Sequence, residues 1–271
     1  MKQILLLLLT IAITTTLKAQ ENVALFNKPV KNGFVIYASN KNPCPVSIKI
    51  DLNVENLKAI YKNVEAFVVP GNNEGLKLIE LTTIDTRERT RFSYNYHSWM
   101  GDISLLNYDS NYIYDLPFAK GKSFLVYQGY GGKFSHQNDN ALDFTMPEGT
   151  ELLAAREGVV LKVVQNNSTS CPLEECKKYN NYVIIYHPDG TFAMYAHIQL
   201  NGSLVKEGDI VKKGDKIAYS GNTGFTNGPH LHFSCYLPGI GQTRTFGTKF
   251  KINGMNEVGY LQEKTTYSKD Y

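Results

Sequence analysis

Long apolar runs are almost missing from this 271-residue chain, and the exception stands at its start. Ile4 to Leu9 is unbroken, and Ile11, Ala12 and Ile13 extend it as far as Thr14-Thr15-Thr16. This stretch is shorter than the ~20 residues that span a bilayer. With Lys2 ahead of it and the small Ala19 behind, it has the pattern of a secretory signal peptide over residues 1–19, and the mature chain is expected to begin at Gln20 or Glu21. No later run approaches membrane length and no cysteine follows the cleavage region, so an exported chain without a transmembrane segment or lipid anchor, periplasmic or extracellular, is expected. Net charge is small too. Lys and Arg number 28 against 25 Asp and Glu, and no basic stripe accompanies the aromatics, which speaks against nucleic-acid binding. No Gly-x-Ser-x-Gly elbow surrounds Ser234, so a serine hydrolase is also excluded.

Cysteine is scarce, at four residues. In an exported protein these are free to form disulfides, and Cys171 with Cys176, close together in a polar loop, is the expected pair. A zinc site there is disfavoured because Cys-x4-Cys has no second ligand pair nearby. Cys44 has no evident partner.

What the chain does have is alternation. Val46, Ile48, Ile50 and Leu52 alternate with Ser47, Lys49 and Asp51, the pattern of a half-buried antiparallel strand. Phe92, Tyr94 and Tyr96 repeat it, with Arg87, Arg89 and Arg91 expected on the opposite face. Ala66 to Val69 and Leu76 to Leu81 flank the turn Pro70-Gly71-Asn72-Asn73. An all-β chain follows, with a small β-sandwich over residues 20–111, immunoglobulin-like packing being one solution. A connector is expected over 112–125, a second β-domain over 126–250 and a C-terminal extension over 251–271. The second domain carries a faint repeat: Glu148 to Ala154 then Gly158, and Lys213 to Ala218 then Gly221. It resembles a duplicated hammerhead unit of biotinyl and lipoyl carriers, but neither copy presents a lysine at a hairpin tip.

The chemistry gathers in the same half. In Gly228-Pro229-His230-Leu231-His232-Phe233, a strand puts both imidazoles on one face and Leu231, Phe233 and Cys235 on the other. Two imidazoles on one pleat sit close enough to serve one metal, although His-x-His alone is weak evidence. His187-Pro188-Asp189-Gly190 is a turn signature that accounts for His187, and His97 is expected to be structural. His197 ends a strand at Tyr195-Ala196-His197, with Tyr195 expected on the same face, as either a hydroxyl donor or a packing residue. Upstream, His136 follows a glycine-rich approach. Asp143 stands between Leu142 and Phe144, where a buried carboxylate needs a partner.

His136, Asp143, Tyr195-Ala196-His197, and Ser220-Gly221-Asn222-Thr223-Gly224 leading to His230-Leu231-His232, in that order, resemble the lysostaphin-type zinc metallopeptidases of bacterial cell walls over roughly Val126 to Tyr236. The resemblance implies one Zn2+ held by His136, Asp143 and His232, with His197 and His230 as an unligated catalytic pair. It implies a two-sheet β core of the duplicated hybrid motif type. It also implies endopeptidase activity on peptidoglycan peptide crosslinks through a zinc-activated water. A catalytically silent wall-binding or amidase-activating module on the same fold is the alternative. One departure stands out: most members place the first histidine and the aspartate four positions apart, and here they are seven apart. The intervening Gln137-Asn138-Asp139-Asn140 puts Asp139 in play as a rival ligand. Asp143 is preferred because its phrase runs in register into the first glycine turn.

Overall fold

Alternating apolar residues build strands almost throughout, and the computed structural model describes residues 22–241, 243–252 and 257–271. The expected signal peptide lies outside the described residues. Their single helical segment is a 3-10 turn, Glu174–Tyr179, and no helix is long and apolar enough to cross a membrane.

The first seven strands are β1 (Val23–Val30), β2 (Gly33–Asn40), β3 (Val46–Glu55), β4 (Leu57–Ile60), β5 (Phe67–Val69), β6 (Asn73–Thr83) and β7 (Arg91–Met100). They form a four-stranded sheet in the order β1-β2-β6-β4 and a three-stranded sheet in the order β5-β3-β7. Ile36, Ala38, Ile79 and Leu81 from the first sheet share one hydrophobic cluster with Val46, Ile48 and Val69 from the second. Burial of an aliphatic side chain of this size contributes about 1.5–3 kcal/mol. The order is not that of an immunoglobulin domain, whose second sheet joins the third, sixth and seventh strands. Here the turn at Pro70–Asn73 carries the chain from β5 in one sheet straight to β6 in the other. Arg91 opens β7 as expected, but Arg87 and Arg89 precede the strand, and Arg87 donates to Asp85 at 2.7 Å.

The remaining strands are β8 (Ile113–Tyr114), β9 (Ser123–Gln128), β10 (Ala141–Thr145), β11 (Glu151–Leu153), β12 (Gly158–Val164), β13 (Ser170–Cys171), β14 (Tyr182–Tyr186), β15 (Phe192–Ala196), β16 (Ile198–Ser203), β17 (Ile210–Val211), β18 (Lys216–Ser220), β19 (Gly224–Phe225), β20 (His230–Leu237), β21 (Arg244–Phe246), β22 (Lys249–Ile252), β23 (Glu257–Tyr260) and β24 (Thr266–Ser268). Most of them join a nine-stranded sheet ordered β17-β12-β14-β15-β20-β10-β9-β24, with β21 pairing β20. The strands of the faint repeat are neighbours: β11 pairs β18, with Leu152 opposite Ala218.

Residues on both sides of the expected 126–250 domain pack into its core. Within residues 112–125, Tyr114, Leu116 and Phe118 are apolar enough to be drawn into it. Within residues 251–271, strand β24 pairs β9, Leu261 and Tyr267 join the same core, and the Leu116 N–H donates to the Tyr271 hydroxyl at 3.0 Å.

Candidate metal centre and active site

Three central strands of the large sheet set the site. On β20, Leu231, Phe233 and Cys235 are buried as the alternation requires, which turns His230 and His232 to the other face. His232 lies directly opposite Asp143 on β10 and opposite Ala196 on β15. His136 arrives from the loop after β9. That loop is held by Gln128, whose Oε1 accepts the N–H groups of Phe134 and Ser135 at 3.0 Å each.

The side chains His136, Asp143 and His232 converge, and each offers one ligand atom within 4.8 Å of the others. His232 Nδ1 is 3.0 Å from Asp143 Oδ1, His136 Nε2 is 3.3 Å from the same oxygen, and the two ring nitrogens are 3.3 Å apart. The Nδ1 of His136 faces the Gly129 carbonyl at 3.1 Å. A carbonyl has no proton, so Nδ1 carries one; Nε2 then points inward, as a lone pair in the neutral ring and as a donor to Asp143 in the protonated one. Gln128 Nε2 donates to Asp143 Oδ2 at 2.9 Å, which turns Oδ1 toward the two rings. A proton can bridge two of these three atoms, whereas a cation between them satisfies all three, so the donor set fits a metal ion. Burial opposes the charge on Asp143, but the hydrogen bonds from His136 and His232 prevail and hold it well below the usual carboxylate range. Burial likewise opposes protonation of His136, and the Asp143 carboxylate outweighs it.

His197 and His230 stand beside this trio, their ring centroids 4.4 Å apart. Nδ1 of His197 donates to the Thr223 carbonyl at 2.6 Å, and Nδ1 of His230 to the Gly228 carbonyl at 2.8 Å. Each bond fixes the tautomer and leaves Nε2 as the nitrogen for chemistry. Burial, helped by the neighbouring His230 and His232, pushes the His197 pKa down to about 3. Burial also lowers that of His230, against the pull of Asp143.

His197 has a left-handed backbone, φ 63°, which costs a non-glycine residue about 1–2 kcal/mol. Its N–H donates to Asn180 Oδ1 at 3.0 Å. Asn180 directly follows the 3-10 turn Glu174–Tyr179, which the Cys171–Cys176 disulfide, formed as expected, ties back through Cys176. Strand β13 pairs in parallel with β19, immediately after Thr223. Gly224, at φ 81°, permits the approach: a Cβ there would lie 2.8 Å from Asn180 Cα.

The left-handed turn also overturns one expectation. Tyr195 does not share a face with His197, because the backbone reversal at His197 breaks the alternation. Tyr195 is fully buried, and its hydroxyl accepts the Ala155 N–H at 2.8 Å. His187 caps its hairpin, with its N–H donating to Thr191 O at 2.8 Å. Asp139 is exposed and outside the convergent trio. Its own backbone closes the polar insertion, donating to His136 O and accepting from Gly131 N–H. No local pattern in the sequence marks Gln128 or Asn180, and Thr223 appears there only within the Ser220-Gly221-Asn222-Thr223-Gly224 phrase, without a role of its own.

Residues 137–243 match peptidase family M23. Over that stretch the chain is similar to M23 peptidases. The matched span includes Asp143, His197, His230 and His232 and begins one residue after His136. An uncharacterized metalloprotease of Buchnera aphidicola is 30% identical over 234 residues, 79% of this chain and 57% of that protein. Peptidoglycan DD-endopeptidase ShyA of Vibrio cholerae is 37% identical over 100 residues, 37% of this chain and 20% of that protein. The chain therefore spans less than two thirds of either relative. Among solved structures, the catalytic domain of the antimicrobial peptidase lysostaphin from Staphylococcus simulans matches at 26% identity over 54% of this chain and 94% of that one, with a TM-score of 0.32.

Proposed function

We propose that the protein is an exported zinc metalloendopeptidase that hydrolyses peptide crosslinks of bacterial peptidoglycan. The observation that carries this reading is the trio His136, Asp143 and His232, with two further imidazoles beside it whose Nε2 atoms are not used for anchoring. Zinc is the ion of choice. Ligands about 2.0–2.1 Å from a tetrahedral zinc lie about 3.3 Å from one another, and the three separations here are 3.0, 3.3 and 3.3 Å. Three protein ligands also leave the fourth position that a catalytic site needs.

A bound zinc ion supplies Lewis acidity, polarising the scissile carbonyl and lowering the pKa of a water to about 7. The chain's own groups do the rest. His197 and His230 are kept neutral at pH 7 by burial, so each Nε2 can accept a proton. One of them takes the proton from the attacking water, as an imidazolium can donate at Nε2 to the oxyanion of the tetrahedral intermediate, and then passes the same proton to the leaving amine, while the other orients the reacting groups beside it. Gln128 keeps Asp143 aimed, and the Thr223 and Gly228 carbonyls keep the two rings oriented.

The N-terminal sheets, residues 20–111, form the accessory unit in this reading, and residues 112–271 the catalytic one. A catalytically silent wall-binding or amidase-activating module is disfavoured because all five positions are filled. Incubation with purified peptidoglycan decides between them: the enzyme releases new amino termini, and chelator abolishes the release. His197→Ala and His230→Ala should each keep zinc and lose cleavage, whereas Asp143→Ala should lose zinc and Asp139→Ala should keep it. Full cleavage by either histidine variant refutes the catalytic roles.

A further inference from the structure

The face of β20 that presents His230 and His232 continues beyond them. By the same alternation Ser234 and Tyr236 follow on that face, and β15 runs alongside with Ala196 opposite His232, Met194 opposite Ser234 and Phe192 opposite Tyr236. A cavity of about 260 Å³ lies over this track, lined by His232, Ser234, Met194 and Tyr236 among others. A second cavity of about 260 Å³ takes over at Tyr236. Its walls come from both halves of the chain: Trp99 and Met100 on β7, and Phe192, Tyr236 and Pro238 on the M23 side. The two cavities share Tyr236 and Thr243.

The junction is close. Gly101, directly after β7 and at φ 86°, lies so near the M23 domain that a Cβ there would stand 2.8 Å from Pro238 and 2.9 Å from the Phe192 ring. Trp99 is thereby held at the end of the track. Among the described residues no charged side chain lines the second cavity, and its aromatic and thioether walls suit an apolar group. Its volume is below the roughly 300–1,000 Å³ of sites for drug-sized ligands, which limits it to about one side chain.

We propose that this cavity is a substrate subsite, built jointly by β7 and the M23 domain, which takes an apolar residue of the peptide being cut. The proposal rests on the endopeptidase reading above and deepens it. From His232 to Tyr236 is four residues of strand, about 13 Å at 3.2–3.4 Å per residue. An extended peptide has the same rise, so the residue that reaches the subsite stands about four positions from the scissile bond. The N-terminal unit thus reads the substrate directly, and the M23 domain alone holds half of this pocket.

Trp99 is the only tryptophan of the chain, so emission excited at the red edge, where the 18 tyrosines do not absorb, reports on this wall. The full-length protein, freed of metal with chelator so that nothing is cut, is titrated with a purified peptidoglycan stem tetrapeptide and with its dipeptide fragment. The tetrapeptide should change Trp99 emission saturably, and the dipeptide should need at least a tenfold higher concentration. Tyr236→Ala should raise the tetrapeptide's half-saturation about tenfold, with folding checked by near-UV circular dichroism. In zinc-loaded Trp99→Ala, the ratio of kcat/KM on long-armed to short-armed crosslinked peptides should fall about tenfold. If emission is silent to both peptides, or if that ratio is unchanged while the zinc-loaded parent cleaves, the subsite is overturned. If the parent cleaves nothing, the endopeptidase reading fails by itself, and the titration still decides whether the pocket binds peptide.

Discussion

Asn180→Ala should cripple the enzyme without touching a metal ligand. In the folded chain the Asn180 Oδ1 accepts the N–H of His197 at 3.0 Å, and His197 is only 7% exposed. Alanine leaves that N–H without its acceptor, at a cost of about 1–3 kcal/mol. The same bond holds His197 at φ 63°, a conformation that costs about 1–2 kcal/mol. Once the acceptor is gone the backbone relieves both costs by leaving the left-handed region, and the ring leaves with it. At about 1.4 kcal/mol per factor of ten, the two costs together, about 2–5 kcal/mol, lower the fraction of molecules with a correctly placed His197 roughly 30–4,000-fold. The expected result is a kcat lower by that factor, a KM changed by less than about threefold, and one zinc still bound per chain. Asn180→Asp keeps an acceptor and should recover most of the loss. Zinc analysis, urea unfolding and crosslink-cleavage kinetics on the three proteins make the test. A zinc-bound, folded Asn180→Ala protein with kcat within about twofold of the parent would show that His197 is not held through its backbone.

Gln128→Leu removes the donor to Asp143 Oδ2 and should weaken zinc affinity about 10–100-fold, read by competition with a chromophoric chelator. His187 is fully buried, and burial, opposed by its bond to the Glu157 carbonyl, pushes its pKa from 6.5 down to about 4. Because the folded value lies below the unfolded one, the unfolded chain takes up this proton first, so stability is lost as pH falls from about 6.5 to 4, by about 3 kcal/mol in all. His187→Asn should flatten that part of the urea-stability profile, and an unchanged slope would assign it to other groups. The double variant Cys171→Ser/Cys176→Ser opens a short loop and should lose about 2 kcal/mol of stability. It should also lose activity with zinc retained, since the disulfide ties down the 3-10 turn that ends at Asn180; activity equal to the parent's would uncouple that turn from His197.

The convergence of His136, Asp143 and His232 was legible in the sequence because they sit in ordered phrases, each with a local physical reason. Asp143 is bracketed by core residues, and His232 alternates with Leu231 and Phe233. The strands were legible for the same reason: a period of two is local. What could not be read is what depends on distant partners. Gln128 meets Asp143 across 15 residues, Asn180 meets His197 across 17, and Thr223 meets His197 across 26, with no periodicity to announce any of them. The face of Tyr195 was misjudged because a single left-handed residue, His197, is invisible to an alternation argument. Residues 112–125 looked like a connector because Leu116 and Phe118 are separated by Pro117 and make no run, yet both are fully buried.

Sequence alternation accounts for His230 and His232 sharing a face, but not for their different work. That difference comes from which nitrogen each ring has left to offer. His230 gives Nδ1 to the Gly228 carbonyl at 2.8 Å, two residues back along its own chain, so it approaches the site with Nε2 and stands 3.7 Å from Asp143 Oδ1. His232 makes no such local bond among those described, and its Nδ1 lies 3.0 Å from the same oxygen and 3.3 Å from His136. One imidazole is thus tied back by its own turn while the next reaches forward to the ligand atoms. In the proposed mechanism the Gly228-Pro229 turn before β20 is therefore part of the chemistry: it would give two equivalent residues on one pleat the separate work of proton carrier and metal ligand.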